Sequence, residues 1–142
     1  MKKLEWQDTL SVGIELIDRQ HKQWIEHFNR AAEAVAAHQG AMHITKTLGF
    51  LVEYTETHFS TEERHMAASH YAGLDEHKAK HDELRTILAD LVQDFEEEGV
   101  NHKLADAVDA FLGNWLVKHI QDVDMKFGAF VKTEGILLSD DT

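Results

Sequence analysis

Residues 58–66 read HFSTEERHM and carry polar side chains at two spacings that suit a helix. His58 and Glu62 are four residues apart, whereas Glu62 and His65 are three apart. Residues at either spacing share one face of a helix, so each pair can be directed at a common site. A third interpretation is that the stretch is a polar, solvated helix end. The choice depends on what the other helices place opposite these residues.

Composition limits the class of protein. A chain of 142 residues can bury a sizeable core, and we expect residues 1–142 to form a single domain. No apolar run is long enough to cross a membrane, and the N-terminus (MKKLEWQD) lacks the apolar region of a signal peptide, so we expect a cytoplasmic protein. The absence of cysteine excludes disulfides and thiolate metal sites. A formal net charge of −12 argues against nucleic acid and anionic membranes as partners.

Four segments have the length of bundle helices. The chain contains no proline that would interrupt them, and Gly40, Gly73 and Gly99 mark the connections. Asp18 is a candidate N-cap of the first helix. The predicted helices cover residues 18–38, 43–66, 74–98 and 102–121.

The two ends of the chain have different patterns. Apolar residues before the first helix occupy even positions, namely Leu4, Trp6, Leu10, Val12, Ile14 and Leu16. A period of two predicts an extended N-terminal arm laid along apolar surface. Residues 125–132 are predicted to form a short C-terminal helix, and the last four residues (SDDT) to fray.

Each predicted helix carries one stripe of residues spaced alternately by three and four, which indicates one buried face per helix. The four stripes, in chain order, are Ile17, His21, Trp24, Phe28, Ala31 and Val35; Ile44, Leu48, Leu51, Thr55, His58 and Glu62; Leu74, His77, His81, Leu84, Leu88, Leu91 and Phe95; and Leu104, Val108, Phe111, Trp115 and His119. Four such helices with short connections predict an all-α fold, an antiparallel up-down-up-down four-helix bundle.

Five histidines and one glutamate occupy stripe positions where leucine is expected. Burying them without partners would cost several kcal/mol each, so either a hydrogen-bonded polar core or a metal cluster must compensate. In an antiparallel bundle, the starts of helices one and three meet the ends of helices two and four. All six residues lie at that end of the bundle, namely His21, His58, Glu62, His77, His81 and His119. Chance placement would scatter them along the axis, so their convergence favours the metal cluster.

The types of ligand indicate which metals suit the cluster. His58 with Glu62, and His77 with His81, are each four residues apart, about 6 Å along a helix. Five histidines exceed the three or four protein ligands of one ordinary zinc ion. Imidazoles with a carboxylate suit two closely spaced first-row metals, which the carboxylate can bridge.

These residues resemble those of the bacterial hemerythrins, the non-haem di-iron, oxygen-binding four-helix bundles. The resemblance runs from about Trp6 to Phe130. The motifs that carry it are IDRQHK with His21, HFSTEE with His58 and Glu62, HKAKH with His77 and His81, and WLVKHIQDVD with His119 and Asp124.

The resemblance implies a set of metal ligands. His77, His81 and His119 would bind one iron, His21 and His58 would bind the other, and Glu62 and Asp124 would bridge both together with an oxo or hydroxo group. Asp124 follows His119 by five residues, about 140° around an ideal α-helix. We therefore expect the helix to end or to be distorted near residues 120–123.

The resemblance further implies reversible dioxygen binding at the iron with fewer ligands, and not enzymatic turnover. Trp115 and Leu116, one turn before His119, would wall the oxygen pocket. Leu84 is predicted to lie one layer further from the site. Three alternatives stay open: a di-iron oxidase or peroxidase, an iron-handling protein, and a nitric-oxide-binding protein.

The remaining histidines are not expected to be ligands. Ferritin-like di-iron sites use two Glu-x-x-His motifs, and Glu62 with His65 is the only one in this chain, so His65 is predicted to lie at the surface or beside the ligands. His38, His43 and His102 flank the connections at the far end of the bundle.

Overall fold

A computed structural model describes residues 4–37 and 39–138, and in it four long helices pack around one apolar core. They are α1 (Glu15–Ala36), α2 (Ala41–Ala68), α3 (Leu74–Glu98) and α4, which runs from His102 to Glu134. The predicted antiparallel up-down-up-down bundle is confirmed. Within the described ranges, no helix combines the length and the apolar character that crossing a bilayer requires.

The helix boundaries agree with prediction for α3 and differ elsewhere. α2 extends two residues beyond the predicted 43–66 at each end. α1 begins at Glu15, and its N-cap is Ile14. The prediction that Asp18 is the N-cap is therefore wrong. The Asp18 carboxylate instead accepts hydrogen bonds from the Val12 backbone N–H at 2.8 Å and from the Ser11 hydroxyl.

The N-terminal arm is extended except for a 3₁₀ turn at Asp8–Leu10, which the period of two did not predict. Asn29 holds the start of the arm on α1, because its side chain exchanges two hydrogen bonds with the Leu4 backbone at 2.7 and 2.9 Å. Further along, the arm crosses α4 closely at Gly128, where a Cβ atom would lie 2.6 Å from the Val12 carbonyl oxygen. The arm therefore runs along α1 and α4, from the middle of the bundle towards the end that holds the predicted ligands.

The fourth helix is longer than predicted and contains two π-helical segments. Residues 102–121 and 125–132 were expected to form two helices, but the backbone stays helical throughout. The π-helical segments are Ala107–Leu112 and Ile120–Asp124, and the last α-helical segment is Met125–Glu134. The predicted frayed end, residues 139–142, lies outside the described residues.

The first π-helical segment changes which residues of α4 face the core. Phe111, predicted to be buried, is 50% exposed, whereas Leu112 is 4% exposed and packs in the core. A π turn holds more residues than an α turn, so steps of four keep to one face across it. The observed core positions are Leu104, Val108, Leu112 and Leu116.

Candidate metal centre

The seven predicted ligands lie together at one end of the bundle. They are contributed by all four helices, and none is more than 3% exposed: His21, His58, Glu62, His77, His81, His119 and Asp124. The structure thus shows the convergence that chain direction predicts for the six residues other than Asp124. The polar groups form one layer, and the apolar core fills the bundle beyond it.

The second π-helical segment brings Asp124 into this layer. In an α-helix Asp124 would point away from His119, but residues five apart approach one face where hydrogen bonds close between i and i+5. His119 Nε2 lies 3.2 Å from Asp124 Oδ1. The predicted distortion is confirmed, and the helix continues through it without ending.

The ligand atoms form two groups that share their carboxylates. One group contains Glu62, His77, His81, His119 and Asp124, and the other contains His21, His58, Glu62 and Asp124. Within each group the ligand atoms lie within 4.8 Å of one another. Two adjoining groups joined by two carboxylates suit two cations better than one.

The imidazole and carboxylate groups approach closely, but at angles that do not suit regular hydrogen bonds between them. His21 Nε2 lies 2.8 Å from Asp124 Oδ2, and His77 Nε2 lies 2.9 Å from Asp124 Oδ1. Yet all five Nε2 atoms, and all four oxygens of Glu62 and Asp124, are buried without a hydrogen-bond partner among the described residues. Such atoms cost free energy unless something binds them, and their convergence is what a shared cation requires.

The two carboxylates are ionised in this environment. Burial and mutual repulsion raise the pKa of Glu62, but His58 and His77 outweigh them and hold it well below its usual value. Burial likewise raises the pKa of Asp124, and His119, His21 and His77 lower it well below its usual value. For His77, burial lowers the pKa, but contacts with Asp124 and Glu62 raise it to about 10. Without metal, a protonated His77 therefore offsets part of the buried negative charge.

Comparison with known proteins agrees with this geometry. Residues 12–131 match the Hemerythrin HHE cation binding domain. The chain belongs to the hemerythrin family. It is 31% identical to a bacteriohemerythrin of Stenotrophomonas maltophilia, over 93% of this chain and 84% of that protein. It is also 31% identical to a myohemerythrin of Riftia pachyptila, over 86% of this chain and 88% of that protein.

A solved structure supports the fold. The crystal structure of a wild-type hemerythrin superposes with a TM-score of 0.79 at 30% identity, covering 90% of this chain and 97% of that one. Hemerythrins bind dioxygen at a di-iron centre, and the donor set here, nitrogen and oxygen without sulfur, fits iron.

Two residues of this hemerythrin hydrogen-bond to predicted ligands and were not identified from the sequence. Gln20 Oε1 accepts a hydrogen bond from His58 Nδ1 at 2.8 Å, and Glu63 Oε2 accepts one from His81 Nδ1 at 2.8 Å. Gln20 is three residues after the buried Ile17, so its place on the buried face was readable from the sequence. Glu63 directly follows Glu62, and only the packing of α2 on α3 reveals its role.

The remaining histidines of the described ranges are not part of the two groups of ligand atoms. His65 is 6% exposed, so the interpretation as a surface residue is wrong, while the prediction that it lies beside the ligands remains. His43 and His102 are exposed in the first turns of α2 and α4, at the far end of the bundle. His38 lies outside the described residues.

Trp115 and Leu116 face different surroundings. The Trp115 ring stacks on His119 at 4.7 Å, and it borders a surface cleft of about 230 Å³. Leu116 is 3% exposed and borders a cavity of about 10 Å³ with Trp24, whose ring lies 5.2 Å from His58. Leu84, predicted to lie one layer further away, borders this cavity too.

Proposed function

We propose that this chain binds dioxygen reversibly at a di-iron centre formed by the seven buried ligands. The observation that carries the proposal is the pair of adjoining ligand groups with shared carboxylates. His77, His81 and His119 would hold one iron, His21 and His58 would hold the other, and Glu62 and Asp124, which belong to both groups, would serve both irons.

The residues perform three tasks in this proposal. When bound, the two irons supply the electrons that dioxygen takes up and returns. With three histidines on one side and two on the other, the iron held by His21 and His58 would have fewer protein ligands and would be the one that binds dioxygen. Burial of every ligand keeps bulk water away, and the ionised Glu62 and Asp124 balance the positive charge of the cations in a medium of low dielectric.

We further propose that the protein is a binding protein and not an enzyme. Its hemerythrin relatives are oxygen-binding proteins, and the ligands are at most 3% exposed, which suits a small diatomic ligand better than a larger substrate. The absence of nucleic-acid and membrane partners stays a prediction from charge and composition. A cytoplasmic location stays a prediction as well.

We expect two irons per chain after anaerobic loading with ferrous ion. Metal analysis of the loaded, desalted protein measures this. The control is His77→Leu, which removes one ligand and the contacts of His77 with Glu62 and Asp124, and should retain fewer than two irons. One zinc per chain, or no iron retained, would contradict the proposed centre.

Mixing the ferrous protein with air tests the function itself. We expect a visible absorption band that appears on aeration and disappears when oxygen is removed, through several cycles. A band that decays within seconds and needs fresh reductant to return would favour the oxidase or peroxidase alternative. A band that forms only with nitric oxide would favour a nitric-oxide-binding protein. Iron that leaves on each cycle would favour an iron-handling protein.

The metal-free protein should lose stability as the pH rises from 6.5 towards 10. The pKa of His77 is raised from 6.5 to about 10, so its stabilising effect is complete below pH 6.5 and is lost as pH approaches 10. Thermal melts of the chelated protein at pH 6.5 and pH 9 measure the change. The iron-loaded protein is the control and should show less decline, because metal replaces the proton on His77. Parallel declines in both forms would contradict this expectation.

A further inference from the structure

One histidine of each proposed iron is anchored at the ring nitrogen that faces away from the metal. His81 Nδ1 donates to Glu63, and His58 Nδ1 donates to Gln20. By contrast, Nδ1 of His21, His77 and His119 is buried without a hydrogen-bond partner among the described residues. A donated Nδ1 proton fixes the tautomer that leaves Nε2 free to bind a cation. His58 and His81 are therefore the histidines, one in each group, whose tautomer and ring orientation are fixed by a hydrogen bond.

The two anchors differ in charge. The partner of His81 is a carboxylate, which draws the Nδ1 proton towards itself and increases the electron density at Nε2. The partner of His58 is a neutral amide oxygen, and hydrogen bonds to neutral acceptors are weaker than those to ionised ones. The cation at the three-histidine group is therefore favoured by its anchor as well as by its number of ligands.

Arg85 fixes the position of Glu63. Its guanidinium donates to Glu63 at 2.9 and 3.3 Å, and to Glu56 at 2.8 and 3.2 Å. The guanidinium also lies over the Phe59 ring, 5.3 Å from its centroid, and Phe59 stacks on His81 at 3.8 Å. The side chain of Glu63 is 18% exposed, so this network is partly shielded from water, and the carboxylate has little freedom to leave His81.

We infer that Glu63 and Gln20 are positioning residues that make the two irons unequal, with the iron of the three-histidine group held more firmly. The inference rests on the proposed di-iron function. It predicts that a chelator removes the iron of His21 and His58 first, and that the charge on Glu63 delays the loss of the other. Substituting a residue that supports a metal ligand typically costs about 10- to 100-fold in metal affinity.

The experiment follows iron release from the anaerobic ferrous protein into excess chelator. We expect two phases of one iron each in the unsubstituted chain. Glu63→Gln keeps the size of the side chain and removes its charge, so the slow phase should accelerate by about 10- to 100-fold while the fast phase changes little. Gln20→Glu should slow the fast phase. If that variant does not fold, Gln20→Leu should accelerate the fast phase instead.

Glu56→Gln is the matched control. Glu56 shares Arg85 with Glu63, but its hydrogen bonds among the described residues are to Ser60 and Arg85 and not to a proposed ligand, and its side chain is 55% exposed. It should leave both release phases unchanged. The reduction potential of the loaded protein gives a second readout, because loss of a negative charge beside His81 disfavours ferric iron. Glu63→Gln should therefore raise the potential, and Glu56→Gln should raise it less.

The outcomes separate this inference from the proposed function. If the unsubstituted chain does not take up two irons, the di-iron proposal itself fails. If it takes up two and releases them in one phase, or if Glu63→Gln and Glu56→Gln behave alike in release and potential, the inference fails alone. Acceleration of only the fast phase by Glu63→Gln would overturn the assignment of Glu63 to the firmly held iron.

Discussion

Removing the iron should lower the thermal midpoint of unfolding by about 12 °C. A ligand present at about 1,000 times its dissociation constant adds about 4 kcal/mol to the free energy of unfolding. For a chain of this length, each kcal/mol shifts the midpoint by about 3 °C. Without metal, few hydrogen bonds offset the cost of burying the proposed ligands, since twelve of their buried polar atoms have no hydrogen-bond partner among the described residues.

The structure also explains why the metal-free protein should still fold. A protonated His77 lies between the two carboxylates, 2.9 Å from Asp124 and 3.5 Å from Glu62, and neutralises part of their charge. The apolar core of the bundle extends well beyond the polar layer. We therefore expect a cooperative transition at lower temperature and not an unfolded chain.

Calorimetry before and after chelation measures this effect. Chelator added to protein that is already metal-free should leave the midpoint unchanged, and ferrous ion added anaerobically in excess should restore it. An equal midpoint with and without iron would show that the polar layer is satisfied without metal, and the di-iron proposal would lose its thermodynamic basis.

Residue spacing predicted much of this fold. The stripes of α1, α2 and α3 are buried or half-buried as expected, because regular α-helices keep steps of three and four on one face. The range 74–98 matched α3 at both ends, where Gly73 and Gly99 cap the helix. Six of the seven proposed ligands were selected from the stripes alone, since polar residues at core positions at one level of a bundle need a common explanation.

The rest depended on departures from the regular helix. Nothing in residues 107–112 marks a π turn, so the spacing rule selected Phe111 where Leu112 is buried. Asp124 was selected only through the family resemblance, because spacing in a regular α-helix does not anticipate the π-helical segment Ile120–Asp124 either. Glu63 lies 18 residues from His81 in the chain, and their contact follows from how α2 and α3 pack, which spacing within one helix does not encode.

Leu116 should control how long the oxygenated protein survives. Its side chain borders the small cavity beside Trp24, whose indole packs against His58 of the proposed open iron. Thr55, also on this cavity, accepts a hydrogen bond from Trp24 Nε1 at 2.8 Å and donates one to the Leu51 carbonyl at 2.7 Å. The cavity of about 10 Å³ is at the lower limit for one water molecule.

Leu116→Ala should enlarge this cavity until it admits water. The substitution should cost about 2–5 kcal/mol of stability, depending on how far the surrounding core collapses. Water that enters has the Thr55 hydroxyl as a polar partner and lies next to the ring that contacts His58. Because water near the open position promotes loss of dioxygen with oxidation of the irons, the oxygenated state should decay several-fold faster.

The choice of control decides what this measurement means. Leu84 borders the same cavity, so Leu84→Ala should also hasten the decay and is not an independent control. Leu48 is better, because it is 1% exposed on the same core and lies ten residues before His58, about 15 Å along α2. Leu48→Ala should cost similar stability and leave the decay of the visible absorption in air unchanged. Equal decay in Leu116→Ala and Leu48→Ala would show that Leu116 is ordinary core, because the loss of packing alone would then account for both.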